Sequence, residues 1–197
     1  MMNEQPERVF SFDMSDLVQK SVATLYSHLI TRPTGKAIRL GIESQLCEHG
    51  GRCVCVLDFT QVVILDYSCA DEAVAKLIQR FHGADRPADA YFIAKGLAEQ
   101  HREPLEEVLI RHGLVLVADA EGVGNILLGA PSMIEQLAFA ALELAGFATA
   151  AQLADGAHHT EAEVASALES LTDRRALVPS ERPEGFFALT ALLAVAG

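Results

Sequence analysis

Apolar residues recur along the chain with two different spacings, one typical of strands and one typical of helices. Apart from Asp58, residues 53–59 are apolar at successive positions, which predicts a strand covered on both faces. A second apolar run at 62–65 stops at Asp66, and helical spacing follows at once over 70–81. The pattern predicts a strand, a turn, a short strand and a helix, with a corner around Ser68.

Strand and helix patterns alternate on either side of this segment. The other predicted elements of this part are strands at 8–12, 91–93, 114–118 and 125–128 and helices at 34–48 and 99–111. The stretch 17–29 fits a helix capped by Ser15 or Asp16, whereas its end, 25–30, fits a strand equally well. The alternation indicates an α/β fold with a mixed sheet flanked by helices.

The pattern changes after Ala130-Pro131, which predicts a boundary between domains 1–130 and 131–197. The C-terminal part predicts helices at 133–145, 149–153 and 160–174 and strands at 177–178 and 186–189. Thr160 and Glu163 have the spacing of a capping box at the start of the third helix. Three helices followed by a β-hairpin is the order of a small winged-helix-like α+β domain.

Charge and composition limit the classes of molecule that we expect the chain to bind. The 197 residues include 27 acidic and 15 basic side chains, and the net charge is −12. Both predicted parts are acidic, which disfavours nucleic acids and anionic membrane surfaces as partners. No apolar stretch reaches the ~18 residues that span a bilayer, and the first residues do not resemble a secretory signal. The expected location is therefore the cytoplasm.

The cysteines do not predict a cofactor. Cys47, His49, Cys53 and Cys55 are metal-ligand types, but their spacing differs from that of structural zinc sites. Cys53 and Cys55 instead share one face of a predicted strand, where a free cysteine packs as a small hydrophobe. We expect neither a metal nor another cofactor.

The polar residues at the corner allow several interpretations. Ser68 fits a phosphoacceptor and also a helix N-cap, and the two roles are compatible. Asp58 and Asp66 suit turns at strand ends, although two nearby carboxylates beside Ser68 leave an enzymatic site open. Asp71 and Glu72 suit a first helical turn because of the helix dipole.

These segments resemble the STAS family, the sulfate-transporter and anti-sigma-factor-antagonist domains. The similar segments are Thr31-Arg32-Pro33-Thr34-Gly35, Leu57-Asp58-Phe59-Thr60-Gln61-Val62 and Ser68-Cys69-Ala70-Asp71-Glu72. The resemblance covers about residues 8–118 and is strongest over 53–77. Anti-sigma-factor antagonists carry an Asp-Ser-Ser-Gly signature. Asp66 and Ser68 match its Asp and its phosphorylated second Ser, whereas Tyr67 and Cys69 replace the other two residues.

The resemblance implies a regulatory protein without catalysis of its own. Its partner would be a serine kinase or ATPase-like protein or an anti-sigma-like regulator, and phosphate on Ser68 would expel that partner. The implied partner-binding face consists of Asp58, Asp66, Tyr67, Cys69, Asp71 and Glu72.

The C-terminal part resembles winged-helix domains in its order of elements. Its third helix carries Glu161, Glu163 and Glu169 ahead of Arg174 and Arg175, and the glutamates would repel DNA phosphates. We therefore expect this part to pack internally, to form a homodimer or to bind protein. The alternative is a transcription regulator whose winged helix binds DNA.

Overall fold

The computed structural model describes residues 8–13, 28–49, 52–155, 159–181 and 183–195. The elements up to residue 129 are β1 (Arg8–Asp13), β2 (His28–Leu29), α1 (Arg32–His49), β3 (Arg52–Asp58), β4 (Ile64–Leu65), α2 (67–82), β5 (Asp89–Leu97), α3 (Glu99–Arg111), β6 (Val115–Ala120) and β7 (Gly124–Gly129). The remaining elements are α4 (Met133–Ala145), β8 (Phe147–Ala148), α5 (Ala150–Ala154), α6 (Glu161–Asp173), β9 (Leu177–Glu181), β10 (Glu184–Ala188) and α7 (Leu189–Val195).

A five-stranded mixed sheet forms the centre of the molecule. Its strand order is β1-β3-β5-β6-β7, with the first four strands parallel and β7 antiparallel to β6. The short strands β2 and β4 pair in parallel as a separate two-stranded sheet. Strands β8, β10 and β9 form a third, antiparallel sheet in that order.

Both faces of the five-stranded sheet are covered. Successive β3 residues, such as Val54 and Cys55, point to opposite faces, and both are buried. The face of Cys55 packs against α1, α2 and α3, whereas the face of Val54 packs against α4, α6, β9 and α7. Burial on both sides explains why β3 is apolar at successive positions.

Two consecutive arginines attach the C-terminal part to this sheet. Arg174 donates from Nη1 to both carboxylate oxygens of Glu135 at 3.1 Å and from Nη2 to the Ala130 carbonyl at 2.9 Å. Glu135 is buried, but the bonds from Ser132, Ser170 and Arg174 outweigh the cost of burial and hold its pKa below the usual range. Ion pairing and hydrogen bonding thus hold α4 to the end of α6.

Arg175 joins the same end of α6 to strand β5. It is the one non-glycine residue of the described chain with a positive φ, 57°, and it ends α6 in a Schellman-type turn. Its guanidinium lies 3.9 Å from the centre of the Tyr91 ring, and its Nε donates to the Ala90 carbonyl at 2.8 Å. These contacts offset the strain of left-handed backbone at a non-glycine residue.

The mixed α/β architecture, with sheets flanked by helices, confirms the predicted fold class. The strand predicted at 8–12 and the helices predicted at 34–48, 99–111 and 133–145 are present. The proposed helix at 17–29 falls largely outside the described residues, and its end, His28–Leu29, is a strand. The strand predicted at 91–93 was too short, since the observed strand β5 extends from Asp89 to Leu97. The boundary at Ala130-Pro131 remains a prediction.

Cys53 and Cys55 are buried in the core as free thiols, and burial raises both pKa values. In the described ranges, no helix combines the length and the apolar character that crossing a membrane requires.

Arg174→Ala tests the contact between α4 and the end of α6. The variant leaves the Glu135 carboxylate buried without its cation, and we expect the free energy of unfolding to fall by roughly 3 kcal/mol, the low end for a broken buried pair, because Ser132 and Ser170 still bond to it. The control is Arg102→Ala, whose pair with Glu106 is exposed and 3.8 Å long, with an expected loss of about 0.5 kcal/mol or less. Urea denaturation measures both, and equal losses would contradict the prediction.

Candidate functional site

The predicted corner lies where β4 meets α2. His28 pairs with Ile64 and Leu29 pairs with Leu65 in the β2–β4 ladder, and the Asp66 N–H donates to the Leu29 carbonyl at 2.9 Å. Leu29 and Leu65 are buried, whereas Ile64 is exposed. The alternation of the two short strands therefore fixes the backbone that leads into the helix.

Asp66, and not Ser68, is the N-cap of α2. Its backbone is extended, and its Oδ1 accepts from the Cys69 N–H at 2.8 Å and from the Ser68 hydroxyl at 2.9 Å. The helix therefore begins at Tyr67, and Ser68 is its second residue. The alternative interpretation of Ser68 as the N-cap is wrong, because the carboxylate two residues earlier satisfies the free N–H.

Ser68 and Tyr67 remain accessible at this corner. Ser68 is half-buried and is held by its bond to Asp66. Tyr67 is 44% exposed, and its hydroxyl donates to Glu103 Oε1 on α3 at 3.1 Å. That bond raises the pKa of the Tyr67 phenol. A hydroxyl is thus presented at the first turn of a helix, with an aromatic side chain beside it.

Three residues of the predicted partner-binding face are buried, which corrects the prediction. Cys69 is fully buried, and burial raises the pKa of its thiol to about 12. Asp71 and Glu72 are only 7% and 5% exposed. None of the three is accessible to a partner, so the accessible part of the predicted face is smaller.

Asp71 and Glu72 instead form a cluster of ion pairs inside the helical layer. One Arg32 nitrogen, Nη1, donates to Asp71 Oδ2 and to Glu72 Oε1, each at 2.9 Å. Lys76 pairs with both carboxylates, and Nε2 of His112 contacts Asp71 Oδ1 at 2.7 Å. Buried carboxylates require such partners, and here cations from α1 and α2 together with the His112 imidazole supply them.

A π-helical turn places the two carboxylates in this cluster. Within α2, the Asp71–Ala75 segment is π-helical, and the Lys76 N–H donates to the Asp71 carbonyl five residues back. The wider turn interrupts an otherwise α-helical element next to the corner. Gly35 of α1 lies against it so closely that an added Cβ would be 2.7 Å from the Cys69 carbonyl oxygen.

Asp58 caps the turn that follows β3, separately from the corner at Asp66. Its Oδ1 accepts from the Thr60 N–H at 3.0 Å and from the Thr60 hydroxyl at 2.7 Å, and its Oδ2 lies 3.9 Å from Lys95 Nζ. Asp58 and Asp66 therefore have separate sets of partners, as expected of turn-capping carboxylates. In the described residues, no group of three or more histidine, cysteine, aspartate or glutamate side chains is arranged to bind a metal.

Exposed apolar side chains lie in the segments that meet at this corner. Ile30 follows β2, Val63 and Ile64 lie at the start of β4, and Tyr67 is the first residue of α2; these side chains are 39%, 51%, 44% and 44% exposed. Together with Ser68 they form what we term the corner surface. This surface belongs to the helical layer of α1–α3, on the opposite side of the sheet from the C-terminal helices.

Sequence patterns identified part of this site. The β4–α2 corner follows from them, and the family resemblance implied an accessible Tyr67, but neither indicates the roles of Arg32 and His112. Arg32 lies 39 residues from Asp71, and His112 lies 41 residues from it. Adjacent acids inside an apolar helical pattern were the available signal, because acids on a buried helix face need cations from other elements.

Comparison with known proteins does not identify a relative. No protein-family model matches the chain, and none of the curated proteins matches it.

The ion-pair cluster predicts how stability depends on pH. In Asp71, bonds to His112 and Arg32 and the charge of Lys76 outweigh burial, and in Glu72 the bond to Lys76 is the largest cause; both pKa values are lowered. The stabilisation is fully present above the unfolded pKa values near 3.8 and 4.5 and is lost as pH falls through the lower folded ones.

We therefore expect the double variant Asp71→Asn/Glu72→Gln to be less stable than the parent at neutral pH. It should also lose less of its remaining stability between neutral pH and about pH 3, because two of the shifted groups no longer titrate. Urea denaturation at several pH values measures how the free energy of unfolding of the parent and of the double variant changes with pH. Equal changes in the two proteins would show that the cluster does not contribute to acid sensitivity.

Proposed function

We propose that the chain is a non-enzymatic regulatory protein of the anti-sigma-factor-antagonist type, which binds a protein partner through the corner surface and releases it when Ser68 is phosphorylated. The observation that carries the proposal is an accessible hydroxyl at a helix start, in a corner whose segments carry exposed apolar side chains. The hydroxyl supplies a site for modification, and the apolar side chains supply contact area.

The exposed apolar residues are unevenly distributed, which supports a contact at this place. Ten large hydrophobic side chains are exposed in the described chain, and four of them belong to the corner surface. Scattered exposed apolar residues are normal, but grouped ones mark interaction sites. Tyrosine is also among the residues enriched at protein interfaces, and Tyr67 lies next to the hydroxyl.

Phosphate on Ser68 would change this surface strongly. The hydroxyl proton that now bonds to Asp66 would be lost, and a group of charge about −2 would stand beside that carboxylate. Asp71 and Glu72 lie three and four positions further along the same helix, and the nearby cations Arg32 and Lys76 are already paired with them. Uncompensated charge beside apolar side chains would expel a partner that contacts both.

The fold is consistent with a STAS-like N-terminal unit and a winged-helix-like C-terminal unit. The order β3–α2–β5–α3–β6 gives parallel strands with α1, α2 and α3 on one face. In the C-terminal part, β8 lies between α4 and α5 and pairs with β10, which forms a hairpin with β9. This is the arrangement of elements that we propose as a winged helix.

The structure favours protein over DNA as the ligand of the C-terminal part. The solvent side of α6 presents Glu161, Glu163 and Glu169, all exposed. The two arginines at its end are turned inward, where Arg174 binds Glu135 and Arg175 binds Asp89. The helix that would enter a groove of DNA is therefore acidic, and its nearest cations are engaged within the protein.

Two Ser68 variants test the switch in an affinity pull-down from the native host. Ser68→Asp should reduce recovery of the specific partner about tenfold or more, whereas Ser68→Ala should retain it. An acidic residue in the first turn of a helix is favourable, so the Asp variant should stay folded, which thermal unfolding verifies. The control Ser44→Asp adds the same charge on exposed α1 and should retain the partner.

Equal recovery with Ser68→Asp and Ser68→Ala would refute the switch. Loss of the partner in Ser44→Asp as well would show that net charge, and not the corner, governs binding. Detection of a phosphate on Ser68 by mass spectrometry of the chain from its host would support the proposal directly.

The preference for protein over DNA has its own test. The full chain should show no salt-dependent binding to duplex DNA, because the exposed face of α6 is acidic. Fluorescence anisotropy over a range of salt concentrations measures this. Binding that weakens steeply with salt would favour the transcription-regulator alternative.

A further inference from the structure

An open groove lies between α1 and the C-terminal half of α2. Its volume is about 430 Å³, which falls in the size range of small-molecule sites. Arg39 lines it from α1, and Lys76 and Arg80 line it from α2. Because Lys76 and Arg80 are four positions apart, they share one face of the helix. We call this cavity the α1–α2 groove.

Cationic side chains are concentrated in this groove. Three of its seven lining residues are arginine or lysine, whereas the whole chain has 15 such residues among 197 and a net charge of −12. Among the described residues that line the groove, Asp85 is the one acid. The groove is therefore a place where this acidic chain presents mainly cations to a ligand.

The arginines of the groove have more hydrogen-bond donors than the protein uses. Arg80 is exposed and forms no ion pair within the described ranges, and its Nη1 donates to the Asp85 carbonyl at 3.1 Å. Arg39 donates from Nη1 to Glu43 at 2.7 Å, and its Nη2 lies 3.7 Å from Glu72. The Nε of Arg39 is buried and has no acceptor among the described residues. Unused donors of this kind suit a ligand with several oxygen atoms.

The neighbouring carboxylates do not occupy every cation of the groove. Lys76 pairs with Asp71 and Glu72, but both acids are also bound by Arg32 outside the groove. Arg80 lies outside this cluster, so its guanidinium is the cation most available to a ligand. Lys76 adds positive charge behind it.

The remaining lining residues restrict the chemistry of the ligand. They are Gln79, Gly83 and Ala84, so the described lining has no aromatic or large apolar side chain on which a nucleobase would stack. Guanidinium groups present paired N–H donors that match phosphate oxygens. We propose that the α1–α2 groove binds the phosphate group of a small polar molecule, with Arg80 and Arg39 as its principal hydrogen-bond donors.

This site is separate from the corner surface. Ser68 and Arg80 are twelve positions apart on α2, which corresponds to about 18 Å along a helix. A ligand in the groove therefore leaves Ser68 accessible. Failure of the Ser68 experiment would leave this proposal intact, and the reverse is also true.

Isothermal titration calorimetry of the full chain at constant ionic strength tests the site, with inorganic phosphate and glucose 6-phosphate as probes. We expect a dissociation constant of about 1 mM or below for at least one probe. Tighter binding of glucose 6-phosphate would identify a phosphate ester as the ligand, and equal binding would identify the phosphate group alone. Both results support the proposal.

Exposed residues provide the variants. Arg80→Gln should raise the dissociation constant about tenfold or more, because a charged hydrogen bond is lost, and should leave the unfolding temperature unchanged. Asp85→Asn should lower it about threefold, because the acid of the lining is removed. The control Arg102→Gln removes a cation of α3, whose pair with Glu106 is 3.8 Å long, and should bind as the parent does.

Four outcomes would overturn the proposal. The parent chain could bind neither probe at concentrations up to about 10 mM, ten times the expected constant. Arg80→Gln could bind as tightly as the parent, which would place the phosphate elsewhere. Arg102→Gln could lose as much affinity as Arg80→Gln, which would show that net charge governs binding. Citrate could bind as tightly as both phosphates, which would show that the groove does not select phosphate.

Discussion

The structure depends on one constraint, the burial of both faces of the five-stranded sheet. Parallel strands such as β3 and β5 carry apolar side chains on both sides, and neither face can remain in water. Helices α1–α3 cover one face and the C-terminal part covers the other. The C-terminal part therefore completes the core of the sheet, and the predicted boundary at Ala130-Pro131 separates two stretches of sequence that share an apolar cluster.

The same constraint shapes the corner. Because α2 must cover the sheet with Ala73, Val74 and Leu77, its remaining faces turn toward α1, α3 and solvent. Asp71 and Glu72 fall where α2 meets these helices, and they are stable there only because Arg32, Lys76 and His112 converge on them. Ser68 lies one turn earlier, where the helix emerges from that contact, which is why its hydroxyl remains accessible while Cys69 does not.

The sequence predicted the features that arise from local pattern. Unbroken apolar character marked β3 as a central strand, and Thr160 and Glu163 marked a capping box that the structure contains. The start of α2 was misplaced because Asp66 and Ser68 are both good N-caps and lie two residues apart. Only the hydrogen bond from the Cys69 N–H to Asp66 distinguishes them.

Features that depend on distant residues could not be predicted in the same way. Whether an acid on a helix is exposed or buried depends on cations from other elements, and Arg32 is 39 residues from Asp71. Similarly, Arg174 and Arg175 read as a basic end to a recognition helix, since nothing local shows that Glu135 and Asp89 attract them inward. Pairwise contacts across the fold decide such cases, and a single sequence does not display them.

The contacts of these two arginines fix the C-terminal part against the sheet. Arg174 binds α4 and the chain at Ala130, while Arg175 binds β5 through Asp89, Ala90 and Tyr91. Charge-assisted bonds on both sides of α6 resist rotation of the C-terminal part against the sheet.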